Sequence, residues 1–206
     1  MSDFDLSSFG HDVSRETFDR LVWYHDQVLK WNKAINLISK SSESAIWERH
    51  IKDSAQVFFL ANAADKWLDI GSGGGFPGLV VAILAKEASP NTHFTLMDSD
   101  ARKSTFLRTI VRELDLNATI VPERIEEANP MGADVVSARA LANLNLLLNF
   151  CTFHMKPAGQ ALLQKGENWR EEEQQARRHW QFDMDVSQST TDSRAVVLRI
   201  GNITRV

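Results

Sequence analysis

Phe18, Leu21, Val22, His25, Val28 and Leu29 return at three- and four-residue spacing, the mark of one helix face, and Ser14 stands where an N-cap belongs. A second run with the same period holds Ile46, Trp47, His50, Ile51, Ser54, Val57 and Phe58. No strand alternation occurs before residue 66. From there short apolar strands alternate with helical stretches: strands at 66–70, 93–97, 118–121, 133–137 and 160–164, and helices at 101–114, 144–155 and 168–180. Pro77 can open a helix after the first strand, because its missing N–H costs nothing there. Residues 156–159, with Pro157 and Gly159, read as the turn that ends the apolar helix. Residues 185–187 and 194–200 read as two strands with only a loop between them. Alternating strand and helix implies a mostly parallel sheet with right-handed crossovers. The expected molecule is therefore α/β: seven strands, helices on both faces, one antiparallel member at the C-terminal edge. Residues 1–65 form a helical cap and residues 66–206 one compact unit.

Composition narrows the function. The chain has 206 residues, of which 43% are hydrophobic and 24% charged, proportions that suit a full core. The unbroken apolar stretch at 79–85 is far too short to span a membrane, and the acidic residues 1–5 do not start a signal peptide. The lone cysteine, Cys151, excludes an internal disulfide and a cysteine-rich zinc cluster, and a cytoplasmic location follows. The six histidines show no metal spacing. A net charge of -4 argues against coating nucleic acid by charge alone. Charge is local, however: Arg102, Lys103, Arg108 and Arg112 face only Asp100 in their stretch, whereas six acids against three arginines fill 167–185.

The first strand runs into Asp69-Ile70-Gly71-Ser72-Gly73-Gly74-Gly75, and ligands of such sheets bind beyond the carboxyl ends of central strands. Glycines there allow a sharp turn and close approach of a ligand to the main chain, and the helix start that follows offers free N–H groups. Two cofactor classes compete. Gly73 to Gly78 fits G-x-G-x-x-G, the signature of a nicotinamide or flavin dinucleotide site, and would make the chain an NAD(P)-dependent oxidoreductase. Read from Gly71, nearer the strand, the sixth position is Phe76, and little chain remains for a substrate domain. Asp-x-Gly-x-Gly-x-Gly instead suits S-adenosylmethionine. Asp98, 20 positions after Gly78 at the end of the second strand, is placed to grip ribose hydroxyls, since Ser99 or Asp100 can cap the next helix. Residues 123–127, after the third strand, stand where the adenine is commonly met.

Several motifs taken together resemble the RsmG (GidB) family, bacterial methyltransferases of N7 of a guanine in 16S rRNA. They are Trp31-Asn32-Lys33-Ala34-Ile35-Asn36-Leu37, Arg49-His50-Ile51-Lys52-Asp53-Ser54, Asp69 to Gly78, Ser137-Arg139-Ala140 and Lys165-Gly166, spread over nearly the whole chain. The resemblance implies a Rossmann-like class I methyltransferase using S-adenosylmethionine. By that similarity Gly71, Phe76, Ile125, Glu126 and Arg139 touch the cofactor, with Gly73 in the loop and Asp98 at the ribose. Gly74 stands where the family commonly has proline. The implied partner is 16S rRNA in the small subunit or an assembly intermediate, with no membrane and no stable protein partner.

Guanine N7 carries a lone pair and no proton, so attack on a sulfonium methyl needs no general base. Catalysis reduces to alignment. Arg139 and His50 are the candidate positioning residues, and Arg139 can serve either the cofactor carboxylate or guanine O6. The segment after the fourth strand lacks the Pro-Pro-aromatic loop of exocyclic-amine methyltransferases. Cys151, between Phe150 and Phe153, reads as a core residue rather than a nucleophile. Lys33, Lys52, Arg102, Lys103 and Lys165 are candidates for RNA phosphate, although Lys165 reads equally as a solvated strand end. Trp31 and Trp47 either stack on RNA or pack helix against sheet.

Overall fold

The computed structural model describes Gly10 and residues 12–206; His11 and the acidic start at 1–5 lie outside the described residues. Helix α1 (Arg15–Asn32) begins where Ser14 Oγ accepts from the Thr17 N–H at 3.0 Å. It buries Phe18, Leu21, Tyr24 and Val28, so Tyr24, one position from the expected His25, takes an inner place. The helix stops because Asn32 turns the chain: its Oδ1 accepts from Leu37 and Ile38 N–H groups at 2.8 and 3.0 Å. The second helical run is less regular than its spacing suggests. A 3-10 turn (Lys40–Ala45) and a π turn (Trp47–Lys52) precede α2 (Asp53–Leu60).

The strands are β1 (Lys66–Ile70), β2 (His93–Met97), β3 (Ala118–Val121), β4 (Ala133–Arg139), β5 (Met155–Lys165), β6 (Trp180–Gln188) and β7 (Val196–Arg205). Helices α3 (Gly78–Ala88), α4 (Ala101–Glu113), α5 (Leu144–His154) and α6 (Trp169–Ala176) connect them. Among the described residues they make one seven-stranded sheet in the order β3-β2-β1-β4-β5-β7-β6. The α/β expectation holds. The C-terminal detail is corrected: β7, antiparallel to both neighbours, lies inside, between β5 and β6, and β6 forms the edge. Boundaries also move: β4 runs on to Arg139 and β7 to Arg205, beyond the expected ends at 137 and 200. β5 begins at Met155 and takes in residues 156–159, where a separate turn was expected, with a register shift against β4 between Ala133 and Val135. α6 ends at Ala176, and Trp180 opens β6 because its buried ring belongs to the sheet's core.

Alternation along the strands divides the core. Trp67, Phe94, Val135, Leu162 and Val197 face one hydrophobic cluster, which also takes in α1, α3 and the interior of α4. Leu68, Val136, Leu163 and Leu198 face the other, under α5 and α6. The helical cap shares the first cluster, Phe18 and Leu21 lying in it with Leu79 and Ile83 of α3. Among the described residues no helix is long and apolar enough to cross a membrane.

Candidate functional site

Strand order reverses at β1, which pairs with β2 on one side and β4 on the other, and the crevice outside the carboxyl ends of β1 and β4 is where this architecture binds ligands. The glycine loop occupies it. Gly71, Gly73 and Gly75 have φ of +66°, +56° and +92°, conformations that side chains rarely adopt. A Cβ on Gly71 would stand 2.6 Å from Leu141 Cδ1, so this glycine admits the chain that follows β4. At Gly78 the same atom would stand 2.6 Å from Asp69 Oδ2, so α3 starts directly over the end of β1.

The loop is held from below and from the cap. Asp69 Oδ1 accepts from Ser137 Oγ at 2.6 Å, and Trp67 Nε1 donates to that same Oγ at 2.9 Å. Burial pushes the Asp69 carboxyl up to about 6, against the pull of Ser137, Ser72 and the Gly78 backbone. From the cap, Tyr24 OH donates to the Gly74 carbonyl at 2.5 Å. A Cβ on Gly74 would stand 3.2 Å from the Leu37 carbonyl, so the turn made by Asn32 presses on the loop.

A cleft of about 250 Å³ opens beside this loop, lined by Gly71, Asp98, Ile125, Glu126, Leu141 and Phe150 among others. Four of the residues named from sequence as cofactor contacts therefore meet in one place. Asp98 accepts from the Gly73 N–H at 2.8 Å through Oδ2 and from the Asp100 N–H through Oδ1. The N-cap of α4 is Asp100, whose side chain accepts from Arg102 and Lys103 N–H groups, so capping makes no demand on Asp98. Ile125 is held by a residue that sequence reasoning passed over: buried His154 donates through Nε2 to the Ile125 carbonyl at 2.8 Å. Its position on the inner face of α5, level with the turn after β3, carries no local sequence signal.

Gly73, Phe76 and Arg139 lie outside the lining of that cleft, Gly73 reaching it only through the bond of its N–H to Asp98. Phe76 is buried behind the loop, its ring 5.5 Å from Tyr24 and 5.0 Å from His50. Arg139 lines a second cavity, of about 660 Å³, on the β5 side of the same chain segment. Its Nη2 donates to the Arg49 carbonyl at 2.6 Å, its Nε lies 3.8 Å from Asp53 Oδ2, and buried Nη1 has no hydrogen-bond partner. Asp53 was quoted only as part of a motif. In the structure it is a hub, accepting from Gln56, Ser189 and Thr191 at Oδ1 and from Gln164 at Oδ2, and it ties α2 to the loop between β6 and β7. His50, on the π turn, is held down to about 3 by burial, then by Arg139 and Arg49, so its ring is neutral at physiological pH.

Of the basic candidates, Lys165 is corrected. Its Nζ donates to Glu172 Oε2 at 2.7 Å and to the Ala142 carbonyl at 2.8 Å, with the side chain 8% exposed; it is neither at a solvated strand end nor free for phosphate. Glu172 Oε2 also accepts from the Leu144 N–H, so the acidic helix α6 caps α5. Lys52 pairs with Glu48 and exposed Arg102 with Asp100. Lys33 is exposed and Lys103 half-buried. The Trp31 ring packs 5.5 Å from Phe106, bringing the end of α1, with Lys33, beside α4, with Arg102 and Lys103. Trp47 packs on Phe18. Both tryptophans thus serve packing. Burial pushes the Cys151 thiol up to about 12, and it has no nucleophile's environment.

The family model described as rRNA small subunit methyltransferase G, GidB, matches residues 17–198. A protein named ribosomal RNA small subunit methyltransferase G from Ruegeria pomeroyi is 50% identical over 195 residues, covering 95% of this chain and 96% of its own. One of the same name from Cereibacter sphaeroides is 48% identical over 190 residues, with 92% and 91% covered. Among solved structures, a TehB-like SAM-dependent methyltransferase from Corynebacterium glutamicum superposes with a TM-score of 0.57 at 14% identity, covering 87% of this chain and 98% of that one. TYW2 of M. jannaschii in complex with AdoMet gives 0.56 at 14% identity, with 76% of each chain covered. At that identity the likeness speaks for the fold.

Proposed function

The chain belongs to the GidB family of rRNA small subunit methyltransferases, and from that premise we infer that it transfers the methyl group of S-adenosylmethionine to N7 of a guanine in 16S rRNA. The observation that carries the reading is the cleft at the end of β1, where Gly71, Asp98, Ile125 and Glu126 converge. Its residues fit the cofactor. Asp98 offers a carboxylate to ribose hydroxyls, Ile125, Leu141 and Phe150 offer apolar surface to the adenine, and Glu126 offers an acceptor at its rim. The backbone past Gly73 leaves room, since a Cβ there would meet only the Gly71 carbonyl, at 3.8 Å. Bound there, the cofactor supplies an electrophilic methyl group.

The remaining work falls to this chain's residues, and it is positioning. Neutral His50 and inert Cys151 suit a nucleophile that has no proton to lose. Arg139 is fixed by the Arg49 carbonyl and Asp53 and leaves buried Nη1 without a hydrogen-bond partner; by resemblance it serves the cofactor, as does Phe76 by supporting the loop from behind. Lys33, Lys52, Arg102 and Lys103 supply a basic rim for RNA phosphate, and a small-subunit particle that already presents the guanine is the preferred substrate. The described residues before 66 act as a cap that shapes the loop through Tyr24 and Leu37, on the unit formed by 66–206. The dinucleotide reading is set aside, because the family and the relatives named above are methyltransferases and not oxidoreductases.

The test is methyl transfer to small subunits that lack the modification, with the methyl mapped to its base atom. The expected product is N7-methylguanine in 16S rRNA. S-adenosylhomocysteine, and not NADH, should raise the melting temperature, and Asp98→Ala should weaken its binding by about 1.5–3 kcal/mol, the scale of a hydrogen bond to a charged group. Methyl at another atom, or unchanged affinity in folded Asp98→Ala, would overturn the corresponding part.

A further inference from the structure

The inner face of α5 is apolar until its last residue. Leu144, Leu147, Leu148 and Cys151 are buried on it, and His154 follows on the same face, wholly buried. His154 Nε2 lies 2.8 Å from the Ile125 carbonyl and therefore carries the hydrogen, because a carbonyl only accepts. Its Nδ1 is buried without a partner. A leucine here would continue the face and bring no unpaired nitrogen with it. Packing alone thus does not account for an imidazole at this place, whereas the bond to Ile125 does.

That bond fixes a peptide plane. The turn after β3 is closed by the N–H groups of Glu127 and Ala128, which both donate to the Arg124 carbonyl. The peptide between Ile125 and Glu126 is held by neither of them. Among the described residues no group but His154 donates to the Ile125 carbonyl, and nothing accepts from the Glu126 N–H. In a trans peptide the C=O and the N–H point in opposite directions, so the carbonyl sets the direction of the Glu126 N–H. Leu146 and Phe150 of α5 line the cleft, and His154 lies about one turn beyond Phe150, at the end of the helix remote from it. With the carbonyl drawn to His154, the N–H is turned back toward the cleft that Ile125 and Glu126 line.

We propose that His154 is a positioning residue for the adenine of the cofactor: it pins the Ile125 carbonyl and thereby aims the Glu126 N–H at a ring nitrogen of the purine, which accepts. The proposal rests on the reading of this cleft as the S-adenosylmethionine site and adds what holds its adenine end. His154 is no part of the lining and touches no ligand, so its effect passes through Ile125. Without it the turn keeps its closure on Arg124 but loses its tie to α5. The adenine is separated from the reacting methyl group by the ribose, so the loss falls on binding and not on the rate of transfer.

His154→Leu keeps the apolar face of α5 and removes the donor. Calorimetry should show S-adenosylhomocysteine and adenosine weakened by the same factor, about tenfold, the scale of one hydrogen bond, since both carry the same purine. On small subunits KM for S-adenosylmethionine should rise by that factor while kcat stays within about twofold. His154→Gln, whose amide nitrogen can reach the place of Nε2, should bring the affinity back to within about threefold of wild type. A loss below about threefold in His154→Leu overturns the proposal. So does a loss for S-adenosylhomocysteine that adenosine does not share, a fall in kcat with KM unchanged, or a folded His154→Gln no better than His154→Leu. Should His154→Leu be recovered unfolded, His154→Met fills the same space with a flexible apolar chain and carries the same comparison. If wild-type protein binds no S-adenosylhomocysteine, the reading of the cleft falls; if it does and the apolar variant binds as well, only the role of His154 falls.

Discussion

Replacing Asp69 by asparagine isolates the cost of keeping a charge beneath the glycine loop. The carboxyl is fully buried at the end of β1 and is pushed up to about 6 from the ordinary 3.8, first by burial and further by the charge of Asp98. Between those two values the folded protein holds a proton that the unfolded chain has released. Stability therefore falls as pH rises through this window, and it is flat above it. The gap is worth about 3 kcal/mol in full, at about 1.4 kcal/mol per pKa unit. About 2 kcal/mol of it lies between pH 4.5 and 7.5, because the wild-type cost has already begun at the lower pH. Asparagine keeps an acceptor for Ser137 and has nothing to titrate. Any fixed cost of the amide cancels when the difference in stability, variant minus wild type, is compared across pH. Urea unfolding of both proteins from pH 4.5 to 7.5 should show that difference growing in the variant's favour by about 2 kcal/mol. A difference constant to about 0.5 kcal/mol would refute the reasoning, since the carboxyl would then titrate alike in both states.

Lys165→Met should destabilise the fold by about 3 kcal/mol, because it leaves Glu172 without its buried partner and the Ala142 carbonyl without its donor; the paired change with Glu172→Gln should recover part of the loss in a thermal melt. Single-turnover rates on bound small subunits should stay flat from about pH 6.5 to 9, since His50 is already neutral there; a rise of slope one with unchanged binding would expose a base that the site does not show. Charge reversal at Arg102 and Lys103 should raise KM for small subunits about tenfold and leave S-adenosylhomocysteine affinity unchanged, a split that steady-state kinetics and calorimetry together can read.

The parallel half of the sheet was legible because its signals are local. The strand limits at 93–97 and 118–121 agree with β2 and β3, where short apolar runs lie between polar turns. The meeting of Gly71, Asp98, Ile125 and Glu126 followed from strand ends, which topology brings together regardless of side-chain detail. What escaped depends on distant partners. Lys165 looks like a strand-end cation until Glu172 of α6 folds over it. Asp53 gains its importance from Ser189 and Thr191, more than a hundred residues away. The place of β7 inside the sheet is settled by its first half, where Val196, Val197 and Leu198 are buried on both faces, against the charged, mostly exposed β6, a difference of burial that short strand patterns did not reveal.

The bond between Asp53 and the loop after β6 also sets an order in time. The lining of the cleft at the end of β1 runs from Gly71 to Phe150, whereas the wall of the second cavity carrying Thr191 closes only when the last strands are in place. In chain order the lining of the first cleft is therefore complete well before that of the second.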